Sequence, residues 1–541
     1  MMFAGIWPLT KLILRRDRIK LPIWIVSIVV TLLYMLPILK ETYGDAASLT
    51  TLYEAFKTNA AGLLLTGFLD EPSFGALVTI ETLLWWGLAV AFMNAFLVVR
   101  HTRQNEEMGA QELILSGRTH RGTSLIAVLI VAFLANALIA VGLGFGMHTL
   151  CADITVEGSW LYGLGMGLFG FVWAAIAAVV VQLFQSTRSS SGFMAVLVGA
   201  TFLARGIGDF TGKVGADGLL QPAWLSYLSP FGWMQALRSI TFPEWWPLLI
   251  PIAFVLVVIP LAFVLLMHRD IGAGLLPSRK GRARASRLLR TPVGLTWYLQ
   301  KNIFIGWLIG SLALIVTVGV LVPQMSHVYE TTETTRLLIK SMGGTGAMIP
   351  TFLSVMLAIA TVMVLAYVVQ AMGRLRSEES SGHLESLLST KLTRTKWLVL
   401  HTATVALCGA FMLVACGAAL AICVNLCSDF SVDILSYGLA GLSYWPLLLV
   451  FIGAYVLMFG VLPRIAGLVV WVYFGWVAFM SWLGPLLNLD EWVMNTSIMR
   501  HFAVAPANDI TVAPLAWCLL AAVVFGLLGA LAWHRRNLVG Q

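Results

Sequence analysis

The chain has 541 residues, of which 59% are hydrophobic and 11% charged, with a mean hydropathy of +0.88. Soluble domains carry about 25% charged residues, so this chain lacks the polar surface that water demands and suits a lipid solvent instead. The formal net charge of +8 would admit a nucleic-acid partner, but the placement of the charges explains it without one.

Apolar runs near 20 residues predict twelve spans. In chain order they fall at about 22–39, 77–99, 124–150, 159–184, 192–208, 247–267, 303–324, 350–372, 398–426, 436–462, 466–485 and 513–534. Lys11, Arg15, Arg16, Arg18 and Lys20 precede the first run and no small-residue cleavage site follows it, so it is expected to be a retained span rather than a cleaved signal. With the N-terminus inside, the inner segments hold 26 of the 34 Lys and Arg residues and the outer segments hold 8. That bias obeys the positive-inside rule and sets the basic surplus against anionic lipid, with both chain ends cytoplasmic in a cell membrane. Residues 268–296, including LLPSRKGRARASRLLR, form a Gly/Pro/Ser/Arg-rich inner linker. The predicted organisation is a six-span half at 1–267, this linker, and a six-span half at 297–541. The expected fold class is an all-α integral membrane protein of about twelve transmembrane helices.

The halves echo one another between their second and third spans. RQNEEMGAQELILSGRTHR (103–121) and RSEESSGHLESLLSTKLTR (376–394) align without gaps. Arg103 falls on Arg376, Glu106 on Glu379, Gly109 on Gly382, Glu112 on Glu385, Leu115 on Leu388, Ser116 on Ser389 and Arg121 on Arg394. Trp24 and Trp307 add a weaker echo near the first span of each half. Six spans per half give a parallel repeat, with a pseudo-twofold axis along the membrane normal. Helical spacing puts the Glu and Arg side chains on a polar face with Leu115 or Leu388 as apolar contact, predicting a short amphipathic helix. A solvated loop obeying topology would also carry Arg and Lys, but topology does not ask for matched Glu and Gly.

This segment resembles the cytoplasmic loop of type-2 ABC exporter permeases, whose pattern runs roughly Arg-Glu, Gly-Thr, Glu, Leu-Leu, Pro, Arg. The Thr after Gly is replaced by Ala110 and His383, and Ser116-Gly117 and Ser389-Thr390 stand where the Pro is absent. These departures fit a fused-dimer branch, similar to exporters of polyketide antibiotics of the tetronasin type. LRRDRIKLPIW (14–24), LVVRHTRQNEE (97–107), YLSPFGWMQALR (227–238) and RDIGAGLLPSR (269–279) also look like that branch. The resemblance covers essentially the whole chain. It implies that Arg103, Glu106, Gly109, Glu112, Ser116 and Arg121, with Arg376, Glu379, Gly382, Glu385, Ser389 and Arg394, form coupling loops that dock two copies of an ATP-binding cassette subunit. ATP and Mg would be bound there and not by this chain. It further implies an amphipathic elbow helix before the first span of each half. Residues 5–20 suit one, with Trp7, Leu9, Leu12 and Ile13 set among Lys11, Arg15, Arg16 and Arg18. Re-entrant helices between the fifth and sixth spans are implied at 209–246 and 486–512. The first carries Trp224, Tyr227, Trp233, Trp245 and Trp246 and the second Trp492 and Arg500, residues that otherwise read as interface anchors.

Glu81, in the outer part of the second span, reads either as a pathway residue or as a carboxylate snorkelling to the interface. Gly142, Gly144, Gly146, Gly163, Gly165 and Gly167 predict close helix packing. The six cysteines have no metal or redox spacing; Cys151 and Cys427 fall on the outer side, where they could pair. No phosphate loop, HExxH or GxSxG occurs, so ATP hydrolysis and these enzyme chemistries belong elsewhere. The expected function is export of a hydrophobic or amphipathic, drug-like compound. The alternative is an ion-coupled twelve-helix transporter, for which Glu81 alone offers an intramembrane carboxylate. A membrane transferase would need converging acidic or His groups.

Overall fold

In a computed structural model the described residues are 5–57, 66–117, 119–215, 220–276, 284–331, 348–428, 431–482 and 490–537. Arg118, Arg279, Lys280, Arg282, Arg336 and Lys340, and with them the middle of the linker, lie outside these residues. The chain falls into two compact units, Met1–Gly281 and Arg282–Gln541.

The first unit runs α1 (Ile6–Arg16), α2 (Lys20–Tyr43), α3 (Ala46–Lys57), α4 (Phe74–His101), α5 (Arg103–Glu107), α6 (Ala110–Leu115), α7 (Thr123–Leu150), α8 (Val156–Leu183) and α9 (Thr187–Phe210). A two-residue antiparallel ladder, β1 (Lys213–Val214) with β2 (Leu220–Gln221), precedes α10 (Trp224–Tyr227), α11 (Pro230–Gln235) and α12 (Leu249–Met267). The second unit runs α13 (Pro292–Thr331), α14 (Met348–Ser380), α15 (His383–Leu388), α16 (Arg394–Cys427), α17 (Ile434–Leu442), α18 (Trp445–Val461), α19 (Ala466–Trp482), α20 (Glu491–Met494) and α21 (Val512–Arg535). Several long helices begin at a side-chain cap: Ser73 for α4, Thr155 for α8, Ser186 for α9, Thr393 for α16 and Asp433 for α17. Each accepts one of the first N–H groups that a helix leaves unpaired.

Eleven helical stretches among the described residues are long and apolar enough to cross a membrane, and α19 is a shorter apolar twelfth. The chain is an all-α integral membrane protein. The expected tenth span is interrupted: α17 stops at Leu442 and α18 restarts at Trp445, with Pro446 in its first turn, where a missing N–H costs nothing.

Among the described residues the elbow implied for both halves is present only in the first. There α1 buries Thr10 and Ile13 against α7 and leaves Trp7 and Leu12 exposed. In the second half a single 3-10 turn, Leu288–Arg290, leads directly into the 40-residue α13. Between the fifth and sixth spans the described residues of the first unit form the β1–β2 ladder, the short α10 and α11 and a 3-10 turn at Trp246–Leu248. Trp233 there is buried, with Nε1 donating to the Tyr227 carbonyl at 2.7 Å, so it is packing and not part of an interface belt. Trp224 and Trp246 remain exposed. In the second unit α20 and a 3-10 turn at Ile498–His501 occupy the corresponding stretch; residues 486–489 of the expected segment lie outside the described residues.

Lipid tails are as apolar as leucine, so these helices associate by close packing and internal hydrogen bonds. The Gly pattern does this at α7–α8. A Cβ on Gly163 would lie 2.4 Å from the Ala140 carbonyl oxygen, and one on Gly167 2.7 Å from that of Asn136. Beside them the buried Asn94 and Asn136 exchange amide hydrogen bonds of 3.0 and 2.7 Å, joining α4 to α7. In the second unit α18 and α21 meet through Gly453, Gly460 and Gly529. Gly163→Ala should therefore destabilise the protein by at least the roughly 1–3 kcal/mol of an overpacked core and lower its thermal midpoint in detergent micelles. Gly199→Ala, where an added Cβ meets nothing within 4 Å, should leave it equal or slightly higher. Equal midpoints for both variants would mean that α7 and α8 do not pack through Gly163.

Candidate functional site

The repeated segment begins on the last turn of the second span of each unit. In the first, Arg103 is 1% exposed, and its guanidinium donates to the Val181 carbonyl at 2.7 and 3.2 Å and to that of Ala273 at 3.1 Å. It also pairs with Glu106 at 2.8 Å. The other partner of Glu106 is Arg269, which follows the sixth span and grips both carboxylate oxygens at 2.5 and 2.9 Å. Arg269 Nε donates to Gln182 Oε1 at 2.7 Å, and Leu275 and Leu276 donate backbone N–H groups to the Gln182 and Leu183 carbonyls. A buried carboxylate thus fastens the ends of α4, α8 and α12 together. Residues 269–276, expected to be loose linker, are docked on the end of α8.

The second unit repeats the arrangement. Glu379 pairs with Arg376 at 3.2 Å and with Arg536, which follows the last span, at 2.5 Å. The closing Arg of each segment reaches the same carbonyl: Arg121 donates to the Arg269 carbonyl at 3.5 Å and Arg394 to that of Arg536 at 2.9 Å. Arg536 also stacks over Trp533 and Phe459 at 4.9 and 5.1 Å. The sequence reading missed Arg269 and Arg536. The available signal was His268-Arg269 and His534-Arg535-Arg536, a matched pair of residues directly after the sixth span of each half.

From this clamp each chain makes the same turn. Gly109 and Gly382 both have φ of 73°, a left-handed conformation that glycine adopts without Cβ strain. Helices α6 and α15 follow. Ser116 and Ser389 each donate a hydroxyl at 2.8 Å to a carbonyl three residues back, that of Leu113 and of Ser386, closing the helix end. Glu112 and Glu385 are exposed, and Leu113, 79% exposed, stands beside Glu112. The twelve residues of the two implied coupling loops therefore divide. Arg103, Glu106, Arg376 and Glu379 are engaged within their own unit, so Glu106 and Glu379 are not free to meet another protein; Glu112 and Glu385 are.

Glu81 is half-buried in α4 and joins no hydrogen bond or ion pair among the described residues. Its equivalent, Ser354, is buried and accepts from the Ala507 N–H at 3.1 Å. Glu81 is not the sole carboxylate in a span: Asp209, 3% exposed near the end of α9, pairs with Arg205 at 3.2 Å and accepts from the Ser226 hydroxyl at 2.7 Å. All six cysteines are free thiols, and Cys151 lies buried at the end of α7 with its sulfur 3.6 Å from Asp153, so the suggested bridge to Cys427 is absent. Each unit also has a cavity between its second span and the segment joining its fifth and sixth. The first has about 280 Å³ and includes Asp70, Asp209 and Arg238; the second has about 430 Å³ and includes Met480, Met494, Met499 and Arg500. Burial pushes the Asp70 carboxyl above its usual range, against the opposing pull of Arg238.

These features define a polytopic helical membrane protein built from two six-span units with one matched inter-span turn each. The chain is 30% identical over 542 residues to the multidrug efflux system permease protein Rv1217c of Mycobacterium tuberculosis (strain ATCC 25618 / H37Rv), covering 99% of this chain and 95% of that protein. Residues 289–534 match the family described as the C-terminal domain of the multidrug efflux system permease Rv1217c. The chain belongs to this permease family.

Glu106→Gln and Glu379→Gln should each destabilise the protein by roughly the 3–5 kcal/mol of a broken buried ion pair. Glu112→Gln should leave the thermal midpoint unchanged, since no ion pair among the described residues engages it. The clamp is refuted if all three variants melt with wild-type protein.

Proposed function

We propose that this chain is the permease subunit of an ATP-driven exporter of the type-2 ABC class, in the fused-dimer branch. It moves hydrophobic or amphipathic, drug-like compounds out of the cell. The observation that carries this reading is the duplicated turn: two clamps of the same construction hold two glycine-led helices, each with an exposed glutamate. Two such helices on one chain suit two copies of an ATP-binding cassette subunit, which supply the ATP and Mg. The 26-to-8 bias of basic residues supports a cytoplasmic position for that end of each unit and for both termini. No nucleic acid is needed to account for the charge. The relative's printed role in multidrug efflux agrees with the direction and cargo class.

On this reading the coupling residues are Glu112 and Glu385, supported from behind by Arg103, Glu106, Arg121, Arg376, Glu379 and Arg394 and shaped by Gly109, Ser116, Gly382 and Ser389. The clamps transmit closure of the ATPase subunits to the second, fourth and sixth spans of each unit. Glu81 supports the rival, an ion-coupled transporter, because it is a half-buried carboxylate without a described partner.

Glu112→Ala and Glu385→Ala should each reduce co-purification of the ATPase subunit or uncouple ATP hydrolysis from export, and the double variant should lose more than either alone. The checks are co-purification yield, substrate-stimulated ATPase and uptake into inverted vesicles. Wild-type values for the double variant would reduce the turn to a charged loop. Transport that needs no nucleotide and collapses with an ionophore, and with Glu81→Gln, would establish the rival.

A further inference from the structure

The two outer cavities occupy matching places but differ in chemistry. In the first unit the cation has a counter-charge: Arg238 Nε lies 3.8 Å from Asp70, which also accepts from the Thr241 hydroxyl at 3.3 Å. In the second unit Arg500 lines a larger, more apolar space, and no carboxylate lies within ion-pair distance of it among the described residues. The wall beside it comprises Ala358 of α14, Tyr444 at the α17–α18 break, and Met480, Met494 and Met499. Tyr444 is held in place by its hydroxyl, which donates to the Ala503 carbonyl at 3.2 Å, and Met499 by the Ser481 hydroxyl 3.5 Å from its sulfur.

Its volume of about 430 Å³ lies within the roughly 300–1,000 Å³ of ligand pockets, which combine apolar walls with a few polar groups. Methionines adapt to varied apolar shapes. A guanidinium presents a planar fork of donors suited to a carboxylate, sulfate or phosphate.

We propose that the second-unit cavity binds an amphipathic anion, its acidic head on Arg500 and its apolar body among Met480, Met494 and Met499. The first unit cannot share this role, because Asp70 already neutralises its cation. The site stands apart from the ATP-driven reading, since binding requires neither nucleotide nor partner. A membrane phospholipid and a free amphiphile share this head-and-body chemistry, and the experiment separates them.

The full chain would be reconstituted in phosphatidylcholine nanodiscs and titrated with labelled dodecanoate, using dodecanol and dodecyltrimethylammonium as competitors. Dodecanoate should bind and neither competitor should displace it efficiently. Arg500→Gln should weaken binding tenfold or more, the effect of losing a charge-assisted hydrogen bond; Arg500→Lys should restore most of it. Ala358→Phe, filling the space from α14, should block binding. Mass spectrometry of retained lipid then identifies the source. An anionic phospholipid kept by wild type and lost in Arg500→Gln makes the occupant bilayer lipid, whereas exchangeable dodecanoate with no retained lipid makes it a free amphiphile. Equal dodecanoate binding by wild type and Arg500→Gln, with both thermal midpoints alike, or displacement by dodecanol as effective as by dodecanoate itself, would overturn the proposal.

Discussion

Each unit depends on one buried carboxylate. Glu106 and Glu379 sit where a span ends, and a carboxylate withdrawn from water there is costly unless its oxygens are filled. Arg269 and Arg536 fill them, and because each arginine follows the sixth span, satisfying the charge also fixes where that span ends relative to the second. Such pairs add little net stability compared with an apolar contact, but they admit few alternative geometries. Specifying geometry is what the docking role proposed for the turn requires. The exposed helix α6 or α15 is short, and isolated short helices are unstable in water. Their conformation is imposed from behind, by the clamp, the left-handed glycine and the serine that closes the last turn.

Farther into each bundle a different constraint operates. Lipid offers no hydrophobic drive for helix association, so backbones must approach closely enough for dispersion and polar contacts to act. Glycines permit this at α7–α8 in one unit and at α18–α21 in the other, and the Asn94–Asn136 pair adds direction. In both units the sixth span packs along the fourth, α12 on α8 and α21 on α18, so a clamp anchored to the sixth span is anchored to the bundle interior.

Much of this was legible in the sequence. Spans can be read because the solvent imposes a run length, and all twelve expected runs coincide with helices, though α19 is short and the tenth breaks before Pro446. The repeated Gly was legible because only a backbone requirement would preserve it between halves that share so little else. The clamp partners were not. Arg269 and Arg536 looked like topology charges, because the positive-inside rule already explains an arginine after a span, and they are separated by a shift of 267 rather than the 273 that relates the turns. Glu106 and Glu112 look alike in sequence; only burial, which depends on what the sixth span brings alongside, divides them.

That the described residues show an elbow only in the first unit follows from the same electrostatics. In the first unit the end of α4 presents Arg100 and His101 and α5 adds Asn105, and the acid that meets the first two comes from elsewhere in the chain. Asp17, at the corner after α1, reaches both Arg100 and His101 at 2.5 Å, while Arg16 donates to Asn105 at 2.9 Å. Those bonds turn the chain and hold α1 as a separate helix against α7. In the second unit the positions of His101 and Asn105 are taken by Arg374 and Glu378, four residues apart on one helix face, and they pair with each other at 2.7 Å. The charge is satisfied locally. No acidic residue occurs between Arg287 and Lys301 to tether the chain to the end of α14, and from Pro292 α13 runs on as one helix. Two substitutions at matched positions thus convert a long-range tether into a local pair, and the architecture of the half changes with them while its clamp and displayed turn stay the same.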